Sequence, residues 1–249
     1  MDQFLSTFFN WQAMAEVIPS LLTVGLPNTL ILSVLSGLIG CIAGLLLALM
    51  GVSRNPLPRW ASRIYTDIFR GLPAAVTILV ISIGLGPVVR QLTGSSNPYP
   101  LGILALSLMA SAYIGEIFRS GIQSVERGQL EASRALGFSY GSSMRLVVVP
   151  QGVRRVLPAL VNQLISLIKD SSLVYFLGLL ASQRDIFGIG KDANANSGNL
   201  SPLVAAAILY LVLTVPLTHL VNRIDHRLRT GRPEAKQPDD AAALVGQGA

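Results

Sequence analysis

The sequence predicts an all-α integral membrane protein that crosses the bilayer with five helices. Apolar residue types make up 51% of the 249 residues, and charged residues only 13%, about half the share found in ordinary globular domains. Uncharged stretches are also long, since no charged residue occurs in the 37 positions from Val17 to Ser53. A soluble chain of this size would need far more charge to cover its surface, so the composition excludes soluble classes.

Each predicted span contains about 20 or more mostly apolar residues, the length needed to cross about 30 Å of hydrocarbon. A transmembrane β-barrel is excluded, because runs such as Leu45–Leu49 are apolar on both faces of a strand and leave no polar side for a lumen. Helices satisfy their backbone hydrogen bonds internally, as lipid requires. The five predicted helices lie near residues 22–50, 64–89, 100–123, 152–180 and 201–223.

Basic residues are distributed unequally between the two sides of these spans. Fourteen Lys and Arg fall on one side and three on the other, and the positive-inside rule assigns the richer side to the cytoplasm. The N-terminus is then external and the C-terminus cytoplasmic. This asymmetry accounts for the net charge of +6, so no nucleic-acid partner is expected. We expect residues 1–20 to form an external interfacial segment, residues 21–225 the membrane domain, and residues 226–249 a disordered cytoplasmic tail.

The sequence contains no motif for catalysis, metal binding or nucleotide binding. His219 and His226 lack the spacing of metal ligands, and Cys41 stands alone in an apolar helix. Gly188–Lys191 is followed by Asp192, where a phosphate-binding loop requires Ser or Thr. We therefore expect no enzyme activity, no metal and no cofactor on this chain. Any step driven by ATP would need a separate ATPase polypeptide.

The longest predicted cytoplasmic segment is the loop at residues 124–151. Its pattern predicts a short amphipathic helix from Gln129 to Leu136, ended by Gly137 as a left-handed C-cap. A second helical segment is predicted to begin at Ser139 as N-cap and to end before Pro150. Such a helix-turn-helix suits a groove on a soluble partner, whereas composition alone equally allows an ordinary solvated loop.

The spacing of residues in this loop resembles the EAA signature of ABC-importer permeases, whose loop docks on the ATPase. The signature residues present are Glu131, Ala132, Gly137 and Pro150, with Ser133, Val147 and Val149 as small or aliphatic replacements. Four further segments resemble motifs of the polar amino-acid uptake permeases. They are Gly25–Ser33 (GLxxTLxLS), Phe69–Pro73 (FRGTP, with Leu72 for Thr), Ala112–Ile122 (AYxxExxRxGI) and Lys169–Leu173 (KDTSL, with Ser171 for Thr).

This resemblance extends over roughly residues 20 to 225. It implies the type I permease fold of ABC importers and a place in the prokaryotic cell membrane. It also implies contact between the loop and the ATPase, made by Gln129, Glu131, Ala132, Ser133, Gly137 and Phe138.

Lys169 and Asp170 are predicted to lie deep in the fourth span. Lys169 follows Arg155 by 14 residues, which places it about 21 Å into the bilayer. Ionisable groups at that depth should face protein or an aqueous cavity. One interpretation is that the pair binds the two charges of an amino acid, with Ser171 and Ser172 as neighbouring hydroxyl donors. The other is an ion pair that only locks the helix bundle.

Four further charges lie near the inner ends of the second and third spans. Asp67 and Arg70, like Glu116 and Arg119, are spaced i,i+3 and could form local salt bridges. A stabilising role is favoured, and an inner gate is the alternative. Gly71 and Pro73 are expected to weaken or bend the second span.

The sequence thus indicates the permease subunit of a binding-protein-dependent ABC importer for a polar amino acid. Five spans are too few to enclose a large polar solute, so a second permease chain, identical or homologous, is expected. The resemblance further implies an ATPase dimer that binds ATP and Mg²⁺, an external amino-acid-binding protein and surrounding lipid. The alternative is a secondary transporter or channel that needs no ATPase, which would be expected to show an inverted repeat or a row of intramembrane charges.

Overall fold

The structure, a computed structural model, describes the backbone of residues 7–230 and the side chains of residues 7–223. Every regular element in this range is helical, which confirms the all-α prediction. Residues 226–230 of the predicted disordered tail belong to the last helix, and residues 231–249 lie outside the described range, as do Phe4 and Leu5 of the predicted interfacial segment.

The elements fall into a membrane-crossing set and a set of shorter connecting helices. In the N-terminal half they are α1 (Trp11–Ser20), a π-helical turn (Leu21–Gly25), α2 (Leu26–Gly51), α3 (Pro56–Gly71), α4 (Ala74–Thr93) and α5 (Tyr99–Gln123). In the C-terminal half they are α6 (Arg127–Ala135), α7 (Tyr140–Ser143), a π-helical turn (Met144–Val148), α8 (Val149–Asp170), 3-10 helices (Ser171–Leu177 and Ala181–Gln183), α9 (Ile186–Ser197) and α10 (Ser201–Thr230).

The first predicted span is part of a longer helix. Helical structure runs without interruption from Trp11 to Gly51, so it begins well before the predicted start at residue 22. Pro19 lies inside α1 and lacks the N–H that an α-helix uses, and the π-helical turn follows it directly. Met14 and Val17 are buried against α10. The second half of the predicted interfacial segment, residues 1–20, therefore packs against the last helix.

The predicted helix at residues 64–89 is wrong as a single element. Leu72 and Pro73 are extended, with ψ angles of 140° and 136°, and they separate α3 from α4. A proline disfavours the α conformation of the residue before it, and Leu72 is extended, which explains why the helix stops at Gly71. Asp67 and Arg70 thus belong to α3, and the apolar α4 alone is long enough to cross the membrane.

The predicted helix at residues 152–180 also differs, because α8 ends at Asp170 and continues as a 3-10 helix up to Gly178. Within the described residues, four helices are long and apolar enough to cross a membrane. They are Trp11–Gly51, Ala74–Thr93, Tyr99–Gln123 and Ser201–Arg223. The 22 residues of α8 would span about 33 Å, but its charges at Arg154, Arg155, Lys169 and Asp170 keep it outside this set.

The core forms where α5 packs against α2. Leu106, Ala110 and Ile114 of α5 are almost fully buried. Small residues let the two backbones approach closely: a Cβ atom added to Gly40 would lie 2.7 Å from the Cβ of Ala110, and one added to Gly44 would lie 2.8 Å from the amide nitrogen of Gly115. Small residues at such positions are the usual basis of close helix packing in membranes.

Replacement of Gly44 by alanine should therefore destabilise the protein. The new methyl group meets the Gly115 backbone, so α2 and α5 must separate, and overpacking of this kind costs about 1–3 kcal/mol. Thermal unfolding of the detergent-purified permease should show a lower midpoint for Gly44→Ala. The matched control is Gly84→Ala in α4, where no atom lies within 4 Å of the added Cβ; equal midpoints for the two variants would contradict this account of the core.

Candidate functional site

The turn after α6 has the predicted left-handed C-cap. Gly137 has a φ of +89°, a region that glycine adopts without the penalty paid by other residues. The Phe138 N–H donates to the Ser133 carbonyl at 3.2 Å, and the Gly137 N–H donates to the Arg134 carbonyl at 3.0 Å. This pair of bonds is the Schellman motif, which satisfies the last carbonyls of a helix. The prediction of a helix ended by Gly137 is confirmed.

The segment after this turn begins as predicted but does not end as predicted. The Ser139 hydroxyl accepts a hydrogen bond from the Ser142 N–H at 3.1 Å, which confirms the N-cap. The expected end before Pro150 is wrong. A π-helical turn at Met144–Val148 passes directly into α8, with the Val149 N–H bonded to the Met144 carbonyl. This shift of register places Pro150 in the first turn of α8, where its missing N–H costs little.

A single helical element therefore joins the loop to the interior of the protein. It runs from Tyr140 to Asp170 through α7, the π-helical turn and α8, a length of about 45 Å. The α6 helix is tied to it, because the Gln151 side chain donates to Gln129 at 3.2 Å. Arg155 of α8 also bonds to the Ser124 carbonyl. The loop and α8 are thus connected by both backbone and side chains.

The loop presents an uncovered surface. Of the residues predicted to contact an ATPase, Gln129, Glu131, Ala132, Gly137 and Phe138 are exposed. Ser133 is buried, and its hydroxyl donates to the Leu130 carbonyl within α6. Among the large apolar side chains of the loop, Leu136 is the most exposed, at 80%. The sequence interpretation did not single it out. A glutamate flanked by exposed apolar groups is suited to docking on another protein.

Lys169 and Asp170 are the last two residues of α8. Lys169 is exposed and Asp170 is half-buried, and no ion pair joins them. The element changes from α to 3-10 geometry at the next residue. The neighbouring hydroxyls bond to their own backbone, because Ser171 donates to the Ile168 carbonyl at 2.8 Å and Ser172 to the Lys169 carbonyl at 2.6 Å. The donor capacity of both hydroxyls is thus used within the helix, and the side chain of Ser171 is fully buried.

An exposed polar stripe leads along α8 to this pair. Arg155, Asn162 and Lys169 are exposed, and their spacing of seven residues places them on one face of the helix. Gln151 and Ser166, which are partly exposed, lie on the same face. A polar stripe of this length is costly against lipid, so the stripe must face water or another protein. We call these five residues the α8 polar stripe.

The two predicted i,i+3 ion pairs differ in the structure. Glu116 and Arg119 form a bidentate pair, with the Arg119 Nε 2.9 Å from the Glu116 Oε2. No ion pair joins Asp67 and Arg70 in the described range. The guanidinium of Arg70 instead lies over the ring of Tyr113, 5.5 Å from its centroid. The ring offers the guanidinium a cation–π contact, which the spacing of charges alone could not indicate.

Sequence reasoning missed a buried polar cluster next to Ser171. The Asp185 carboxylate is fully buried, accepts from the backbone N–H groups of Phe187 and Gly188, and accepts from the Tyr210 hydroxyl at 3.1 Å. Thr29 accepts from the Ile186 N–H at 3.0 Å, and the Tyr210 hydroxyl is also within hydrogen-bonding reach of Thr29 and Ser171. The cluster joins α2, the 3-10 helix, α9 and α10. An aspartate directly before Ile186 was an available N-cap signal.

No group of three or more His, Cys, Asp or Glu side chains in the described range is placed to hold a metal ion.

Comparison with known proteins identifies relatives over nearly the whole chain. The arginine transport system permease protein ArtQ of Bacillus subtilis is 35% identical over 207 residues, which are 83% of this chain and 91% of ArtQ. The glutamate/aspartate import permease protein GltK of Escherichia coli O157:H7 is 31% identical over 223 residues, covering 88% of this chain and 98% of GltK.

Solved structures give the same result. A chain from the crystal structure of an amino acid ABC transporter with histidines matches with a TM-score of 0.75 and 32% identity, covering 88% of this chain and 98% of that one. A chain of the inward-facing MetNI methionine ABC transporter matches at 21% identity with a TM-score of 0.67 and supports the fold alone. The predicted ABC importer permease fold is thereby confirmed.

Residues 36–230 match the family described as the binding-protein-dependent transport system inner membrane component. Proteins of this family are permease subunits located in the inner membrane, and ATP hydrolysis belongs to a separate subunit. The predictions of a membrane permease and of a non-enzymatic chain are confirmed by this match. The chain belongs to the family of inner-membrane permease components of binding-protein-dependent ABC transport systems.

Proposed function

We propose that this permease carries a polar amino acid and that the α8 polar stripe lines the route to Lys169 and Asp170. The observation that carries the proposal is the exposed stripe itself, which ends at two opposite charges that do not pair with each other. A zwitterionic amino acid can satisfy both charges at one depth. The resemblance of Lys169–Leu173 to the polar amino-acid uptake motif and the names of ArtQ and GltK support the same substrate class.

The assembly follows from the surfaces that this chain leaves uncovered. We infer that a second permease chain covers the polar stripe from the opposite side, so that the two chains enclose an aqueous path. A dimer of ATPase subunits would bind the loop through Gln129, Glu131, Ala132, Gly137 and Phe138, and it would hold the ATP and Mg²⁺. An external binding protein would deliver the amino acid, and this chain would hold no cofactor.

The proposed topology has five spans, with α8 as the fourth, an external N-terminus and a cytoplasmic C-terminus. The predicted domain limits at residues 20/21 and 225/226 remain predictions. Pairing with a second permease explains why α8 can cross the membrane despite its charges, since charged side chains are tolerated where they face protein or water.

The proposed mechanism uses the continuous helical element from Tyr140 to Asp170. Closure of the ATPase dimer on ATP would displace the loop, and α8 would transmit this displacement because helical structure is continuous from Tyr140 to Asp170, with Pro158 as an internal point where a backbone hydrogen bond is missing. The helix would then change the exposure of Lys169 and Asp170 to the two sides of the membrane. Asp67, Arg70, Glu116 and Arg119 would stabilise the inner ends of α3 and α5 outside this path.

The first test separates substrate binding from a structural ion pair. Asp170→Asn and Lys169→Met each remove one charge, and each should lower amino-acid uptake at least tenfold, because a charge-assisted hydrogen bond is worth about 1.5–3 kcal/mol. Assembly of the complex should persist. Uptake into proteoliposomes is measured beside complex yield. If the double variant restored both uptake and yield, the pair would be a structural lock and the proposed role would be wrong.

The second test concerns the coupling turn. Gly137→Ala leaves space around the new methyl group but places alanine at a φ of +89°, which costs about 1–2 kcal/mol. The ratio of amino acid transported to ATP hydrolysed should fall. Gly128→Ala is the matched control, because Gly128 lies within α6 and also has open space around it. Unchanged coupling in Gly137→Ala would remove the turn from the mechanism.

The third test concerns orientation. In a variant with Cys41 replaced by serine, single cysteines are introduced at Asn196 in α9 and at Thr230 at the end of α10. An impermeant thiol reagent should modify the Asn196 cysteine in intact cells and the Thr230 cysteine only after the cells are opened. The reverse pattern would invert the proposed topology.

A further inference from the structure

A charged cleft lies between α2, α3 and α5, at the end of the molecule where arginines are concentrated. Its volume is about 140 Å³. Six charged residues line it: Arg59, Arg63, Arg70 and Arg119 with Asp67 and Glu116. Four guanidinium groups face two carboxylates, so the cleft has an excess of two positive charges. None of these residues belongs to the α8 polar stripe.

The existing contacts leave part of this positive charge uncompensated. Arg119 pairs with Glu116, Arg59 donates to the backbone carbonyls of Ser53 and Arg54, and Arg70 lies over Tyr113. Arg63 makes no hydrogen bond or ion pair with the described residues. The cleft therefore offers one free guanidinium beside others whose charge is not neutralised, an arrangement that attracts an anion.

The α3 helix has a polar face towards the cleft and an apolar face away from it. Its polar residues Ser62, Arg63 and Thr66 face the cleft. The opposite side of the helix is apolar and uncovered, with Leu57 exposed by 71%, Trp60 by 65% and Ile68 by 51%. Tryptophan is enriched where a membrane protein meets the bilayer interface. In α3 the exposed apolar residues and the residues that line the cationic cleft are therefore about half a helical turn apart.

We propose that this cleft binds the phosphate group of an anionic phospholipid of the cytoplasmic leaflet. A cavity needs about 10–15 Å³ of free volume to hold one water, so a cleft of about 140 Å³ has room for a phosphate group. The acyl chains would lie along Leu57, Trp60 and Ile68. An anionic phospholipid can place its headgroup at the excess positive charge and its acyl chains along the apolar face of α3, whereas a free amino acid has no acyl chains for that face. The bound lipid would hold α3 against α2 and α5 and would stabilise the assembled permease.

The test measures lipid binding to the complete importer purified in detergent. Native mass spectrometry is used to titrate phosphatidylglycerol and, separately, phosphatidylcholine with the same chains. The wild-type complex should bind phosphatidylglycerol more tightly. Arg63→Gln should weaken that binding about fivefold, as expected for one basic residue at a membrane surface, and Arg63→Lys should restore most of the affinity because it keeps the charge. Complex yield and unfolding midpoint are followed for each variant, so that a folding defect is recognised.

The matched control is Arg223→Gln, an exposed arginine on α10 outside the cleft. It should leave phosphatidylglycerol binding unchanged. An equal loss in Arg223→Gln and Arg63→Gln would show general attraction to a basic surface and would overturn the proposal. Equal binding of the two phospholipids by the wild-type complex would do the same.

Two competitors identify the source of the anion. Inorganic phosphate at matched concentration should displace little lipid, because it lacks the apolar chains. If phosphate alone displaced phosphatidylglycerol with similar affinity, the cleft would be a site for soluble phosphate. If an amino acid displaced it, the cleft would belong to the transport route. The assay needs neither transport nor a known orientation, so its outcome is independent of the proposed function; the orientation decides only which leaflet supplies the lipid.

Discussion

The continuity of the helix from Tyr140 to Asp170 is the constraint on which the proposed mechanism depends. A proline at position 150 would ordinarily end the preceding helix, because it lacks an N–H and disfavours the α conformation before it. The π-helical turn at Met144–Val148 prevents this by shifting the hydrogen-bond register. The segment of the loop from Tyr140 and the helix that carries Lys169 are thereby one element. A displacement at one end must move the other end or bend a hydrogen-bonded helix.

Much of this architecture could be predicted from the sequence, and the exceptions have identifiable causes. Uncharged stretches and the placement of arginines indicated the membrane class, and Gly137 and Ser139 marked the turn because local backbone chemistry decides both positions. The effects of Pro73 and Pro150 were both predicted wrongly. A helix was predicted to run through Pro73, where it ends, and to end before Pro150, where it continues. Both prolines restrict the residue before them, but only Pro150 follows a segment that takes up the change as a π-helical turn. Sequence alone does not distinguish a break from a register shift.

Side-chain partners at long sequence separation were the least predictable part of the site. The i,i+3 spacing suggested two ion pairs, yet Arg70 contacts Tyr113 instead of Asp67. Asp185 was not considered, since its role depends on Tyr210 and on the backbone of its own helix. The Glu116–Arg119 pair was predictable because both residues lie on one helix face. Local geometry therefore decided which predictions succeeded, and tertiary packing decided which did not.

The buried cluster around Asp185 adjoins the end of α8 at Ser171. Asp185, Tyr210 and Thr29 hold α9, α10 and the start of α2 together through hydrogen bonds shielded from solvent. Breaking one of them would leave a buried polar group without a partner, which costs about 1–3 kcal/mol. The exposed end of α8 at Lys169 has no such ties, and the 3-10 segment beyond it ends at Gly178, whose φ of +70° makes a turn. The buried hydrogen bonds of Asp185 thus lie after Ser171 in the chain, and the charged residues Lys169 and Asp170 lie before it. In the proposed mechanism, a displacement of the loop would therefore reach Lys169 and Asp170 without breaking the hydrogen bonds of the Asp185 cluster.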